Sequence, residues 1–340
     1  MAIADTESAI AISGYLETYH AHDFQQDSSA RPDFIYSHNV ANKPSINLAM
    51  IKAAFNTTRV RANLAAGSGN YMRANYASEP DNLQKIFEAN FGYRLSEQYA
   101  IWLDVGVMPS HIGFESAIGA DNWTLTRSIM ADNSPYFETG AKLSYTSADG
   151  KWYAAALLLN GWQRMQRPEG NTTPAFGHQL TYKPNSRVTL NSSSFIGNDQ
   201  SDRERKMRYF HNFYGQYALT DQLSLLTGFD IGAEQKTHNS GDYSIWFTPV
   251  LIAQYRFSER VNAAFRAEYY QDKDGVIISS GTPNGFRTSS YSANVDYRLS
   301  NQVMLRAELR QYRGRDDYFL NDDKPSRDSL VGTTALILSF

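Results

Sequence analysis

Period-two patterning is the feature that most constrains this chain. Val261, Ala263, Phe265, Ala267 and Tyr269 alternate with Asn262, Arg266 and Glu268. The same alternation sets Phe137, Thr139, Ala141, Leu143 and Tyr145 against Glu138, Lys142 and Ser144, and Val303, Leu305, Ala307 and Leu309 against Arg306, Glu308 and Arg310. Tyr291 to Arg298 follows it too, as does Phe87 to Arg94, whose apolar series is Phe87, Ala89, Phe91 and Tyr93. Successive side chains of a strand point to opposite faces, so each stretch predicts a strand with one apolar and one polar face. No apolar run approaches the roughly 18 residues that a spanning helix needs. The longest, Trp152 to Leu159, is strand-length. Two segments, Ile46 to Phe55 and Trp152 to Asn160, carry apolar residues on both faces and leave their orientation open.

Half-buried strands also build soluble sandwiches, so the aromatic residues carry the next step. Tyr, Phe and Trp number 22, 18 and 5, yet mean hydropathy is only -0.49, and such a chain needs both an apolar and a wet surface. Tyr93, Tyr145, Tyr182, Tyr217, Tyr255, Phe257 and Tyr297 stand at strand ends beside turns. A membrane barrel carries its interfacial girdle there. A sandwich core would hold its aromatics mid-strand.

The connections alternate in length. Seven short turns, near 56–58, 95–97, 147–150, 183–186, 220–222, 258–259 and 300–301, separate eight longer polar stretches, near 25–42, 67–83, 108–134, 163–173, 197–205, 235–241, 271–286 and 313–327. Outer-membrane barrels have short periplasmic turns and long outer loops. The prediction is an all-β fold, a closed antiparallel transmembrane β-barrel of about sixteen strands, within about two. It would span residues 11–340 behind a lead segment of residues 1–10. The final stretch, LVGTTALILSF from Leu330 to Phe340, would be an apolar edge strand in a soluble domain. In a barrel it closes on the first strand, near Ile12 to Asp23, with Phe340 at the interface.

Several classes are excluded or disfavoured. The chain has no cysteine, hence neither disulfides nor thiolate metal sites, and its net charge of -3 argues against a nucleic-acid partner. Met1 to Ile10 lacks a basic segment followed by an apolar core, and the expectation is a mature form carrying an added initiator methionine.

In the stretch Thr126 to Gln163, a loop ending in Ser134, Pro135 and Tyr136 leads into a strand containing Gly140, and the next strand closes on Asn160, Gly161 and Trp162. This resembles the OmpL-like β-barrel porin family common in Bacteroidetes, and the resemblance covers nearly the whole chain. Phe340, with apolar residues at every second position behind it, resembles the signal that outer-membrane assembly machinery reads in porins. The resemblance implies a diffusion channel in the outer membrane of a Gram-negative bacterium, surrounded by lipid and lipopolysaccharide. It implies no cofactor and no fixed catalytic residues. A homotrimer is compatible with it, because lipid-facing and subunit-facing apolar surfaces look alike in sequence.

If the apolar faces meet lipid, the polar faces line a lumen. The wall candidates are Glu88, Asp104, Glu138, Lys142, Arg208, Arg266, Glu268, Arg306, Glu308 and Arg310. Barrels of about 16 strands leave an aqueous channel, and charged lining tunes its selectivity. The competing reading is that these charges pair with one another as a structural wall network, as Arg306, Glu308 and Arg310 would with Asp296 and Arg298 on the preceding strand. The longest connection, Met108 to Ser134, follows the fifth strand, where the loop of general porins folds inward. Its constriction candidates are His111, Glu115, Asp121, Asn122 and Arg127. An external flap with solvated charges is the alternative.

Two other functions compete with a channel: a non-conducting barrel that presents loops for adhesion or binding, and a barrel hydrolase. The chain has no G-x-S-x-G elbow, and Ser110 beside His111 is poor geometry for a nucleophile and its base. His178 and His211 share an apparent face with Phe176, Leu180, Tyr209 and Phe213, as packed or interfacial residues do. No metal site is expected: His20 and His22 lack a third placed ligand, and DKDG at 272–275 has Gly281 where a calcium loop needs glutamate.

Overall fold

Hydrocarbon offers no hydrogen bonds, so a sheet inside it must leave no edge. The computed structural model, which describes residues 10–340, satisfies this with a closed antiparallel barrel of sixteen strands. The first eight are β1 (Ile10–Asp23), β2 (Ser45–Asn56), β3 (Val60–Ser68), β4 (Ile86–Arg94), β5 (Ala100–Pro109), β6 (Phe137–Thr146), β7 (Trp152–Leu159) and β8 (Ala175–Asn185). They continue as β9 (Val188–Asn198), β10 (Met207–Ala218), β11 (Leu223–Gln235), β12 (Tyr243–Arg256), β13 (Val261–Asp272), β14 (Phe286–Arg298) and β15 (Val303–Gly314). A hairpin outside the barrel, β16 (Phe319–Asn321) with β17 (Lys324–Ser326), precedes the closing strand β18 (Asp328–Ser339). Each barrel strand pairs with its neighbour in sequence, and β18 pairs with both β15 and β1. Phe340 completes the seam: its N–H donates to Gly14 O at 3.0 Å, and Gly14 N–H donates to Phe340 O at 2.9 Å.

The first strand begins at Ile10, one residue into the segment expected to lead the barrel; residues 1–9 of that segment lie outside the described residues. Seven short and eight long connections alternate around the ring, and the girdle tyrosines Tyr93, Tyr145, Tyr255 and Tyr297 are exposed at the short-turn end. Alternation then sorts the faces. Phe265 and Leu305 remain 51% and 45% exposed on the outer surface, whereas Arg266, Arg306 and Glu308 beside them are buried inside.

Register settles the ambiguous strands. In β2, Tyr15 pairs with Met50, which turns Leu48, Met50 and Lys52 inward and Ile51 outward. In β7, Leu157 and Leu159 face inward and Leu158 outward. Two residues leave the face that simple alternation predicts. Phe87, next to a register shift between Ala65 and Ala66, turns inward against Tyr71, and Phe137, at the outer end of β6, stacks inside on Tyr76 at 4.2 Å. The inner surface is therefore not uniformly polar. Leu226, Trp246, Val250 and Ile252 are also buried inside and need an apolar partner.

That partner enters from β5 and β6. At the root of their connecting loop, Gly106 and Gly140 pair across the strands with φ of +121° and +158°. A Cβ on Gly106 would stand 2.2 Å from Ala89 O, so this bend of the wall requires glycine.

A charge on the outer face tests the assignment. Leu309→Arg places a guanidinium in the lipid belt and is expected to cost about 2–4 kcal/mol in a denaturant titration of the bilayer-inserted protein. An unchanged midpoint would put Leu309 elsewhere than in lipid.

Candidate functional site

The connection from Ser110 to Tyr136 lies inside the barrel and touches most of its wall. Ser193 Oγ of β9 donates to His111 O at 2.8 Å, and Phe114 packs edge-on against Tyr214 of β10. At the tip, Ala120 N–H donates to Tyr15 OH of β1 at 3.3 Å. The return limb carries the short helix α1 (Ile129–Asp132), which starts where Ser128 Oγ accepts from Ala131 N–H. Met130 of α1 packs on Leu226, Val250 and Ile252, and Ile129 and Ile112 join the cluster of Leu157, Leu159, Phe195 and Trp246. The inward apolar patches thus find their cover in the loop, which acts as a core for a barrel too wide to fill itself.

Charged wall residues hold the loop by its backbone. Arg266 on β13 donates to Thr126 O at 2.7 Å, to Thr124 Oγ1 at 3.0 Å and to Glu308 Oε1 at 2.8 Å. Glu308 on β15 accepts from Thr126 N–H at 2.6 Å and Thr126 Oγ1 at 2.9 Å. Arg310 pairs with Glu268 and donates to Arg127 O at 2.7 Å, while Glu268 accepts from Ile129 N–H at 2.7 Å. One step nearer the short-turn end, Arg306 is forked on Asp296 at 2.6 and 2.9 Å and donates to Gly119 O and Asn122 O at 2.7 and 2.9 Å. Buried backbone groups of an irregular loop need partners, and these side chains supply them. Arg266, Glu268, Arg306, Glu308 and Arg310 are thus bonded to carboxylate or guanidinium partners on the wall and to the loop.

The other wall candidates divide by exposure. Arg208 is bound by Glu234 and Asp199 and lies over the Trp162 ring at 5.2 Å. Nearer the short turns, Lys52 pairs with Glu88 at 2.9 Å, and Arg61 pairs with Asp104 while covering Trp102 at 4.3 Å. Lys52, Arg61 and Lys142, which faces Asp104 in register, stay half-exposed and form a wet wall, whereas Glu88 and Asp104 are buried beside them.

Within the loop, most constriction candidates act as anchors. Asn122 accepts from Ser116 N–H at 2.7 Å, and Arg127 donates to Leu125 O and Ala117 O, both at 3.0 Å. Glu115 is bonded to Ser128 and lies 3.9 Å from Arg266; burial pushes its carboxyl above the usual range against the pull of Arg266. Asp121 alone of the five is exposed. His111 Nδ1 lies 2.8 Å from Glu138 Oε2, and Nε2 lies 2.8 Å from Ser194 O. Both neighbours only accept, so both ring nitrogens donate and the ring is an imidazolium. Burial opposes that charge, but Glu138 overrides it and holds the pKa above the ordinary value. Asp132 is pushed up to about 7 by burial, against Arg310 and Arg127, and accepts from Ser37 N–H of the first loop.

Residues 9–340 match the family described as "Putative beta-barrel porin-2, OmpL-like". The chain belongs to that family. This OmpL-like porin is therefore an outer-membrane channel for small solutes in a Gram-negative bacterium. Its fold is shared by OmpT of Vibrio cholerae, with TM-score 0.63 and 7% identity over 99% of each chain. An anion-selective porin from Comamonas acidovorans superposes with TM-score 0.63 at 10% identity, covering 98% of this chain and all of that one. The outer membrane channel DcaP of Acinetobacter baumannii gives 0.61 at 9% over 99% of each chain. At such identities the likeness concerns fold alone. No curated protein matches this chain.

Sequence reasoning left out the first loop of the OmpL-like porin, residues 24–44, which also enters the barrel mouth. His38 there bonds Glu17 at 3.1 Å, and Phe34 packs on Phe286, Tyr312 and Phe319. The acidic, aromatic and histidine residues of this loop gave no periodic signal. His20 and His22 turn outward while Asp23 turns inward, so they do not converge. Asp272 instead binds the N–H groups of Val276, Ile277 and Ile278 and so ties down its own loop.

Two outcomes follow from the anchors. Arg306→Met leaves Asp296 buried without its partner and is expected to cost about 3–5 kcal/mol; adding Asp296→Leu should return part of it, and an equal cost for both variants would mean that the pair is not what matters. The His111 contribution follows linkage: a raised folded pKa adds stability that is complete below the ordinary imidazole value of about 6.5 and is lost as pH rises through the folded value. The stability difference between the native protein and His111→Gln should shrink from pH 5 to pH 9 in thermal unfolding; a difference that grows would contradict the imidazolium.

Proposed function

We propose that this porin passes small polar or charged solutes down their gradients by passive diffusion, through a lumen that the loop 108–134 narrows, and performs no chemistry on them. The observation that carries this reading is the wet wall of Lys52, Arg61 and Lys142 leading inward from the short-turn end. Lys52 and Arg61 are each paired with a buried carboxylate, Glu88 and Asp104, so bore width rather than net charge is the first filter. Against a hydrolase stands His111: with both ring nitrogens donating, it has no lone pair with which to act as a base. The partners in this reading are lipid and lipopolysaccharide on the outer belt, and assembly machinery that reads Phe340. OmpT of Vibrio cholerae has a trimer form, and three copies of this chain would share the same apolar belt.

A second reading draws on the loop itself. A lumen so closely packed also suits a plugged barrel that presents its loops to a binding partner.

Planar-bilayer recording separates the two. Purified protein is expected to add stepwise conductance, with a small reversal potential under a salt gradient because Lys52 and Arg61 are paired with carboxylates. Protein that inserts and never conducts, even after the loop is loosened, would select the plugged barrel.

A further inference from the structure

The cavities inside the barrel form a series. An outer cavity of about 260 Å3 at the mouth is lined by Tyr36, Asp132, Ser134, Trp162, Arg164 and Arg208. An inner cavity of about 290 Å3 runs along Glu88 and Tyr214 to the loop tip at Ala117 and Ile118. Between them is a neck of only about 10 Å3, which shares Ser134 with the outer cavity and Ile112, Phe114 and Tyr136 with the inner one. The neck has loop on both sides: Ile112 to Glu115 from the outgoing limb, Met130 to Tyr136 from the return limb. Glu88 of the inner cavity pairs with the half-exposed Lys52, so the series leads towards the wet wall at the short-turn end.

We propose that the solute route crosses the barrel between the two limbs of the inserted loop, and that the neck of Ile112, Phe114, Met130 and Tyr136 is a hydrophobic gate that closes by excluding water. The proposal rests on the porin reading and adds where the route runs and what shuts it. Hydrophobic constrictions gate channels by dewetting, without a mechanical plug. Glu115 is the one charged residue of the neck, and it is turned to Ser128 and Arg266.

The two limbs are held unequally, which gives the gate a moving part. Glu268, Glu308 and Arg310 pin the return limb to the wall at Thr126, Arg127 and Ile129. Beyond His111, the outgoing limb makes one hydrogen bond to the wall, Gly113 N–H to Asn212 Oδ1 at 3.3 Å, before the tip contacts at Gly119 and Ala120; otherwise it rests on the packing of Ile112 and Phe114 and on the 3.9 Å approach of Glu115 to Arg266. Gly113 has φ +85°, a backbone that favours glycine, with nothing within 4 Å of where a Cβ would stand, and the proposed pivot lies there.

Polar side chains of similar size test the gate without changing its width. Ile112→Asn and Met130→Gln are expected to raise single-channel conductance several-fold while the protein keeps the gel mobility of a folded barrel. Leu251→Thr, on the outer face of β12, is the control and should leave conductance unchanged. Folded neck variants that conduct like the native protein would overturn the gate while leaving the porin reading in place. Native and variant channels that are all silent would overturn both. If the polar variants fail to fold, the absence of native cysteine allows Ser134→Cys to be modified with a charged methanethiosulfonate. Conductance should then fall by more than half, whereas Ser292→Cys, on the wall behind the loop, should give no change; equal effects, or none at Ser134, would place the route elsewhere.

Discussion

Arg266 on β13 and Arg306 and Arg310 on β15 flank β14, and their guanidinium groups are bound on one side by carboxylates and on the other by carbonyls of the inserted loop. The rest of the lumen depends on this bonding. Without it, three buried cations and their carboxylates would have no full set of partners, and the loop's backbone would have none either. Wall and loop are each unsatisfactory alone and complete together. The apolar contacts of Met130 and Ile129 add attraction, but the hydrogen bonds decide where each residue of the loop sits.

This explains why some features were legible in the sequence and others were not. Strands such as β13 and β15 meet lipid on one face and polar partners on the other, so their pattern has a single interpretation. The eight long and seven short connections follow from the same geometry and gave the strand number. Leu157, Leu159, Val250 and Ile252 were harder, because their apolar partner is a loop more than twenty residues away in sequence for two of them and over a hundred for the others. Period alone cannot say which of two apolar faces meets lipid and which meets a loop. Phe87 and Phe137 failed for a related reason: at a register shift and a strand end, local backbone overrides alternation.

The site was legible in its residue types and not in their roles. Both the wall charges and the loop charges stood out, but a charge facing water and a charge holding a carbonyl read alike in one dimension. Trp162, singled out as part of a family-like Asn-Gly-Trp step, packs between Phe195 and Phe210 under the Arg208 guanidinium, so its place in the pattern reflects a structural contact at the barrel mouth. The residues left half-exposed, Lys52, Arg61 and Lys142, lie where no loop reaches, and they define the wet part of the lumen by exclusion.

Amide hydrogen exchange of the protein in detergent or lipid measures the loop's attachment directly. Leu125, Thr126 and Ile129 donate their N–H groups to Asn294, Glu308 and Glu268 of the wall. The account predicts that these three amides exchange as slowly as those of the barrel strands. Exchange as fast as that of the outer loop at residues 273–285 would contradict it.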